Sequence, residues 1–382
     1  MLLGFIICEY NPFHNGHLMQ LQYTKNTLGC DKIICVMSGN IVQRGEVAVA
    51  DKYTRASWAI KAGADLVVEI PPKFCLGSAE SFAQGAISLI ATFAGEKLLC
   101  FGAECGDIKK LNTIADIINQ EFTQNKIKAF IKEGNNYPQS VSLALAQYCI
   151  AFDLDPTLPQ LLSNPNNTLA IEYLLAIDRN KIDIAPRALK RTNDYNGLGV
   201  QCNISSASAI RNCLEQNKKI ATKHTVPTYV FEQLPQEITS AKLFSIAKYC
   251  LFDKDMSQVF GAKEGLDNRI KKTLAQSENM QAFFNLVNTK RYPLATIKRI
   301  LLAAIVDCHE QPQSIKFDAP DYLNVLAIKK SSLNLLGQST LNCITKPSDY
   351  ERFDLNDPLM RKVDKLFEAT QYNFERNMKI FD

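Results

Sequence analysis

Four histidines occur in the 382-residue chain, and two of them, His14 and His17, fall within Glu9-Tyr10-Asn11-Pro12-Phe13-His14-Asn15-Gly16-His17. The segment follows a continuous apolar run, Leu2–Cys8, and opens a helical pattern over Asn15–Leu28. A helix that starts at the carboxyl end of a buried strand offers backbone N–H groups and a favourable dipole to an anion. Gly16 admits close approach to the backbone. The imidazoles can donate hydrogen bonds to phosphate oxygens whose charge grows during substitution at phosphorus. Three other readings use the same residues: a structural Asn-Pro-Phe turn with incidental histidines, a zinc site with His-x-x-His as two ligands, and a phosphate loop of another type. No third zinc ligand is evident, and neither G-x-G-x-x-G nor G-x-x-x-x-G-K-[ST] occurs, so dehydrogenase and P-loop chemistry are poorly supported.

These residues need a scaffold, and the flanking pattern supplies one. Leu2–Cys8, Lys32–Met37, Asp65–Ile70 and Lys97–Phe101 read as buried strands. They are separated by helices over Asn15–Leu28, Asp51–Ala62 and Ser78–Phe93. Unalternating strands interleaved with helices indicate a parallel sheet covered on both faces. From about 107 to 177 the periodicity is helical (Ile108–Gln120, Glu121–Lys132, Gln139–Ala151, Asn166–Ile177), as in an insertion. Lys181–Ile184 reads as a fifth strand and Ser206–Glu215 as a helix capped by Ser206. Beyond Pro227 only helical periodicity stands out, at Thr239–Phe252, Gly265–Gln276, Met280–Asn288 and Ala295–Asp307. The expected division is an α/β domain over 1–225 and a mainly α-helical domain over 226–382.

Composition excludes several classes. A hydrophobic fraction of 46% and a charged fraction of 21% are those of a globular protein, not of a disordered or collagen-like chain. A net charge of +4 is too mild to announce nucleic-acid binding, so local distribution matters more. The twelve cysteines include no C-x-x-C pair and read as reduced, mostly buried thiols. No signal peptide or membrane span is expected, which makes the cytoplasm the default location.

A second motif, Ser205-Ser206-Ala207-Ser208-Ala209-Ile210-Arg211, stands at the expected helix start. With H-x-G-H at the first strand–helix junction, it resembles the nucleotidyltransferase superfamily that includes class I aminoacyl-tRNA synthetases. There the corresponding I-S-S-T-x-I-R element lies on the triphosphate; here Ser208 replaces the Thr and Ala207 the second Ser. Four further segments narrow the resemblance to the bacterial tRNA(Met) cytidine acetate ligase family. They are Glu9 to His17, Met37-Ser38-Gly39-Asn40-Ile41-Val42-Gln43-Arg44-Gly45-Glu46, Phe101-Gly102-Ala103-Glu104 and Asn164-Pro165-Asn166-Asn167. Thr289-Lys290-Arg291-Tyr292 and Ile297-Lys298-Arg299 resemble a basic stretch in that family's C-terminal region.

The resemblance implies a Rossmann-like, HUP-type nucleotidyltransferase domain followed by a helical domain. It also implies an ATP-dependent ligase that makes acetyl-adenylate from acetate. The acetyl group then passes to N4 of the wobble cytidine of elongator tRNA(Met), giving N4-acetylcytidine. ATP would contact Ile7, Cys8, Glu9, Tyr10, Asn11, Pro12, Phe13, His14, Asn15, Gly16, His17, Leu18, Met19 and Gln20. Gly102 would meet adenosine, and Asn166 or Asn167 the nucleotide. Arg191 would be a further contact with Lys190 as its rival, and Ser206, Ser208 and Arg211 would face the triphosphate. His14, His17 and Arg211 would be catalytic, with Mg2+ bridging phosphates and no protein metal cage. Ser38, Gly39, Gln43 and Arg44 could line an acetate or cytidine pocket or form an ordinary polar loop. Lys290, Arg291, Lys298 and Arg299, with Tyr292 as a stacking platform, would meet tRNA, the competing reading being a solvated helix face. Lys109, Lys110, Lys126, Lys128, Lys190, Lys218 and Lys219 are weaker candidates. Two alternatives remain at this point: a small-molecule adenylyltransferase of the same superfamily, and a non-catalytic RNA-binding protein. Oligomeric state is left open.

Overall fold

Apolar runs of five to eight residues become strands, and the pattern of their burial fixes the layers. The computed structural model describes residues 1–191, 205–262, 265–289, 292–309, 320–371 and 378–382. Its strands are β1 (Leu2–Cys8), β2 (Lys32–Ser38), β3 (Ile41–Val42), β4 (Glu46–Val47), β5 (Leu66–Ile70), β6 (Glu96–Ala103), β7 (Ala185–Lys190), β8 (Tyr322–Lys329), β9 (Asn342–Ile344) and β10 (Lys379–Phe381). The main sheet runs β10-β8-β5-β2-β1-β6-β7, with β9 also on β8, while β3 and β4 form a separate hairpin. All main-sheet pairs are parallel except β5 with β8.

Alternate residues of β1 enter different cores, which is why the run shows no polar alternation. Leu3, Phe5 and Ile7 join Phe82, Ile87 and Ile90 of helix Ala79–Ala91 on one face. Ile6 and Cys8 join Tyr53, Trp58 and Ile60 of helix Lys52–Lys61 on the other. From β1 the chain first builds outward through β2 and β5, then returns to β6 and β7 on the opposite side. That reversal opens a crevice at the carboxyl ends of β1 and β6, where open α/β sheets bind ligands. The helical insertion contributes Ile108–Asn119, Glu121–Lys132, Tyr137–Ala151 and Pro165–Asn180.

Two expectations need correction. The strand expected at Lys181–Ile184 lies four residues later, at β7. Lys181 instead ends helix Pro165–Asn180 in the left-handed conformation, φ 50°, and the chain needs the next residues to reach β6. The segment after 226 is helical through Leu294–Ile305, whose residues pack a third core with Phe244, Ile270 and Phe283. It then returns to the sheet as β8. Tyr-Leu-Asn-Val-Leu-Ala-Ile-Lys is buried on both faces, so periodicity alone does not separate it from a buried helix turn.

Candidate active site

The loop between β1 and helix Asn15–Gln22 is shaped by its two histidines. His14 is the N-cap: its Nδ1 accepts the Gly16 N–H at 3.1 Å, while the His14 N–H donates to His17 Nδ1 at 3.2 Å. This reproduces the reciprocal logic of a capping box with imidazole nitrogens in place of a hydroxyl and a carboxylate. The rings stack with centroids 3.6 Å apart and planes 21° apart, and Tyr10 stands edge-on to His17 at 4.9 Å. Burial, then the positive charge of Arg191, pushes His14 down to about 3. Burial, then His14 and Arg191, hold His17 well below the usual imidazole range. Both rings are therefore neutral at neutral pH. Because each Nδ1 accepts, each proton sits on Nε2, and neither Nε2 is bonded to another described group. The fold thus sets two N–H donors of fixed tautomer.

The expected free N–H groups of this helix start are not there. Asn15 N–H donates to Thr225 O at 3.0 Å, Gly16 N–H to the His14 ring, and His17 and Leu18 N–H to His14 O. The imidazole cap consumes the donors that an anion would have used, so side chains must supply them.

Arg211, on helix Ala207–Glu215, supplies some. Its Nη1 donates to Asn11 O at 2.7 Å, its Nε pairs with Glu46 Oε2 at 3.1 Å, and its Nη2 reaches Ser208 Oγ at 3.4 Å. Two of its five N–H groups keep no partner among the described residues. Ser206 is committed to its own helix, accepting Ala209 N–H at 3.2 Å.

On the β6 side, Arg191 N–H donates to Ala103 O at 2.8 Å, and its side chain crosses Gly102 to reach Asn166 Oδ1 at 3.4 Å. A Cβ at Gly102 would stand 3.1 Å from Arg191 Cγ, so a bare backbone lets the arginine lie flat there. Lys190 is exposed and packs on Gly106 instead, which separates it from Arg191. Asn166 and Asn167 also divide. Asn167 is fully buried, with Oδ1 accepting Cys105 N–H and Nδ2 donating to Leu161 O. Asn166 Nδ2 donates to Glu104 Oε1 at 2.6 Å, and its Oδ1 accepts from Arg191. Asn167 is a strut; Asn166 belongs to the rim of the crevice.

Of the expected RNA contacts, Lys290 and Arg291 lie outside the described residues. Lys298 pairs with Glu46 Oε1 at 2.8 Å, and Arg299 donates to Gln43 O at 3.1 Å. Both are turned onto the β3–β4 hairpin. Gln43 N–H in turn donates to Glu9 Oε1 at 2.6 Å, whereas Arg44 is exposed at the hairpin tip.

Several residues escaped sequence reasoning. Arg55, fully buried, donates to the carbonyls of Glu9, Ser38, Gly39 and Ala50, holding the carboxyl ends of β1 and β2 together. Lys52 is buried between Glu69 and Asp364, at 2.9 and 3.0 Å. Glu104 and Glu46 stand inside segments already singled out, but nothing local marks which carboxylate meets which cation. Asn11 Nδ2 and Ser38 Oγ are buried with no partner among the described residues.

A parallel sheet with paired histidines at its first strand–helix junction defines a class, and the model of the HIGH Nucleotidyl Transferase family matches residues 1–378. A curated tRNA(Met) cytidine acetate ligase of Clostridium perfringens is 35% identical over 358 residues, covering 90% of this chain and 89% of that protein. One from Acetivibrio thermocellus is 34% identical, covering 97% and 93%. The crystal structure of Thermotoga maritima TmcAL bound with alpha-thio ATP superposes with a TM-score of 0.89 at 25% identity, covering 100% of both chains. The chain belongs to the tRNA(Met) cytidine acetate ligase family of HIGH nucleotidyl transferases.

Proposed function

We propose that this chain is an ATP-dependent ligase that forms acetyl-adenylate and acetylates N4 of the wobble cytidine of elongator tRNA(Met). The observation that carries the reading is the histidine pair: two neutral rings, tautomers fixed by the backbone, with both Nε2–H groups and two Arg211 N–H groups unspent among the described residues. Such a donor set suits polyphosphate and has no proton to give as an acid. The T. maritima relative's structure with alpha-thio ATP supports ATP as the nucleotide.

In the first step an acetate oxygen attacks the α-phosphorus and the bond to pyrophosphate breaks. The negative charge shifted to phosphate oxygens is met by His14, His17 and Arg211, while Gly102, Asn166 and Arg191 seat the nucleoside end. In the second step cytidine N4 attacks the acetyl carbon, the bond to AMP breaks, and N4 loses one proton. Among the described residues no three His, Cys, Asp or Glu side chains surround a metal position; Mg2+ accompanying ATP would be held by phosphate oxygens and water.

RNA contact remains assigned to the stretch Thr289–Arg299, whose Lys298 and Arg299 are engaged on the β3–β4 hairpin. The reading places the chain in the cytoplasm with its tRNA; no described helix is long and apolar enough to cross a membrane. The test is transfer of labelled acetate to bulk tRNA with ATP and Mg2+. Label recovered as N4-acetylcytidine, dependent on ATP and abolished by His17→Ala, is the expected result. Pyrophosphate release without labelled tRNA would overturn it.

A further inference from the structure

The catalytic reading uses Arg211 but says nothing of what holds it, and the β3–β4 hairpin does. Glu46 takes Arg211 Nε on Oε2 at 3.1 Å and Lys298 Nζ on Oε1 at 2.8 Å. One carboxylate thus ties the nucleotide side to helix Leu294–Ile305. The hairpin cannot drift from that helix. Gly45, at φ +77°, comes so close that an added Cβ would stand 2.6 Å from Lys298 Cβ and 2.7 Å from Arg299 N. Arg299 also grips Gln43 O, and Gln43 is bonded to Glu9, the first residue after β1.

We propose that Glu46 is a positioning residue for Arg211: with Asn11 O it clamps two nitrogens of the guanidinium and leaves the remaining N–H groups aimed at the phosphates. The inference rests on reading Arg211 as a phosphate contact. Burial works to raise the Glu46 carboxyl, but Arg211, Lys298 and Arg44 overcome it and hold the group below its ordinary range, so it is ionised. Glu46 faces two cations in direct ion pairs, Arg211 and Lys298. Glu46 therefore orients Arg211 without neutralising the local excess of positive charge. Lys298, by fixing the other oxygen, makes the seating of the helical region felt at the nucleotide. Outer residues that orient a binding group typically matter by ~10–100-fold.

The experiment is a double-mutant cycle on the adenylation half-reaction, read as acetate-dependent ATP–pyrophosphate exchange, with equilibrium ATP binding measured in parallel. Glu46→Ala is expected to lower kcat/KM by ~10–100-fold. Glu46→Gln, which keeps an acceptor for Nε, recovers most of the loss. In an Arg211→Ala background, Glu46→Ala changes the rate less than about threefold, because positioning an absent group has no value. A full multiplicative loss in that background, or no loss from Glu46→Ala in the wild type, overturns the proposal. Lys298→Met, which keeps the apolar stem, is expected to give a smaller loss of the same sign, and unchanged thermal unfolding across the set excludes misfolding. If the wild type charges no tRNA yet binds ATP, the ligase reading falls. A Glu46 effect on ATP affinity that requires Arg211 would still uphold the positioning role.

Discussion

Two charged clusters stand at the carboxyl ends of the central strands, and they spend their hydrogen-bonding capacity differently. In the first, Lys52 Nζ has three donors and uses all of them, on Glu69, Asp364 and Met360 Sδ. Asn40 and Asn324 complete it by donating to Asp364 and Glu69. In the second, His14, His17 and Arg211 satisfy one side of each group on the protein and, among the described residues, leave the other unspent. His14 is nearly as buried as Lys52, so burial alone does not distinguish a structural ion cluster from the proposed site. Leftover donor capacity does.

The contrast is broken most directly at Lys52. Lys52→Met leaves two buried carboxylates facing each other and is expected to cost about 3–5 kcal/mol of stability, read by urea denaturation. Adenylation per folded molecule should stay within about threefold; lost activity with intact stability would mean the cluster is functional. The mirror experiment is His14→Ala or His17→Ala, each expected to slow adenylation by ~10²–10³-fold. The missing cap should take only about 1 kcal/mol from stability.

The two asparagines at the start of helix Pro165–Asn180 repeat the contrast one residue apart. Asn167→Ala orphans the half-buried Cys105 N–H and Leu161 carbonyl and is expected to cost about 1–3 kcal/mol of stability. Asn166→Ala is expected to raise KM for ATP several-fold with stability nearly unchanged. A swap of these outcomes would reassign the pair.

A further effect is in pH. With His14 held at about 3 in the fold and near 6.5 unfolded, its contribution is intact above 6.5 and lost as pH falls toward 3. At ~1.4 kcal/mol per pH unit, the stability advantage of the wild type over His14→Gln should shrink by about 2 kcal/mol between pH 7 and 5. Glu69 and Glu172, each raised by burial to about 7, respond in the opposite direction and cancel in the difference. A constant gap would mean that His14 is not buried neutral.

Much of this was written in the sequence. Buried parallel strands announce themselves as apolar runs, so β1, β2, β5 and β6 fall within a few residues of expectation, and Asp51, Ser78 and Ser206 cap as their types demand. The pairing of His14 and His17 at the first strand–helix junction was legible, but not the way they are held. An imidazole as cap has no compositional signal, and it reverses the expectation of free backbone donors. Glu46 with Lys298 and Lys52 with Asp364 are joined across 252 and 312 residues, so only the folded chain brings them together. β8 was missed because its run, broken by Asn324, stands outside the strand–helix repetition that marked the other strands, and periodicity alone does not separate it from a buried helix turn.

That strand has a consequence for how the protein can be cut. β8 is the only antiparallel pairing in the main sheet among the described residues, and it covers the outer side of β5. The helical region is therefore a long excursion whose far end is woven back into the catalytic layer rather than an appendage on a hinge. A chain ending before Pro320 would leave the apolar β5, Leu-Val-Val-Glu-Ile, as a bare rim with its backbone groups unpaired. Such rims recruit strands from other molecules. Removing the last sixth of this protein is expected to yield aggregates, not a smaller enzyme.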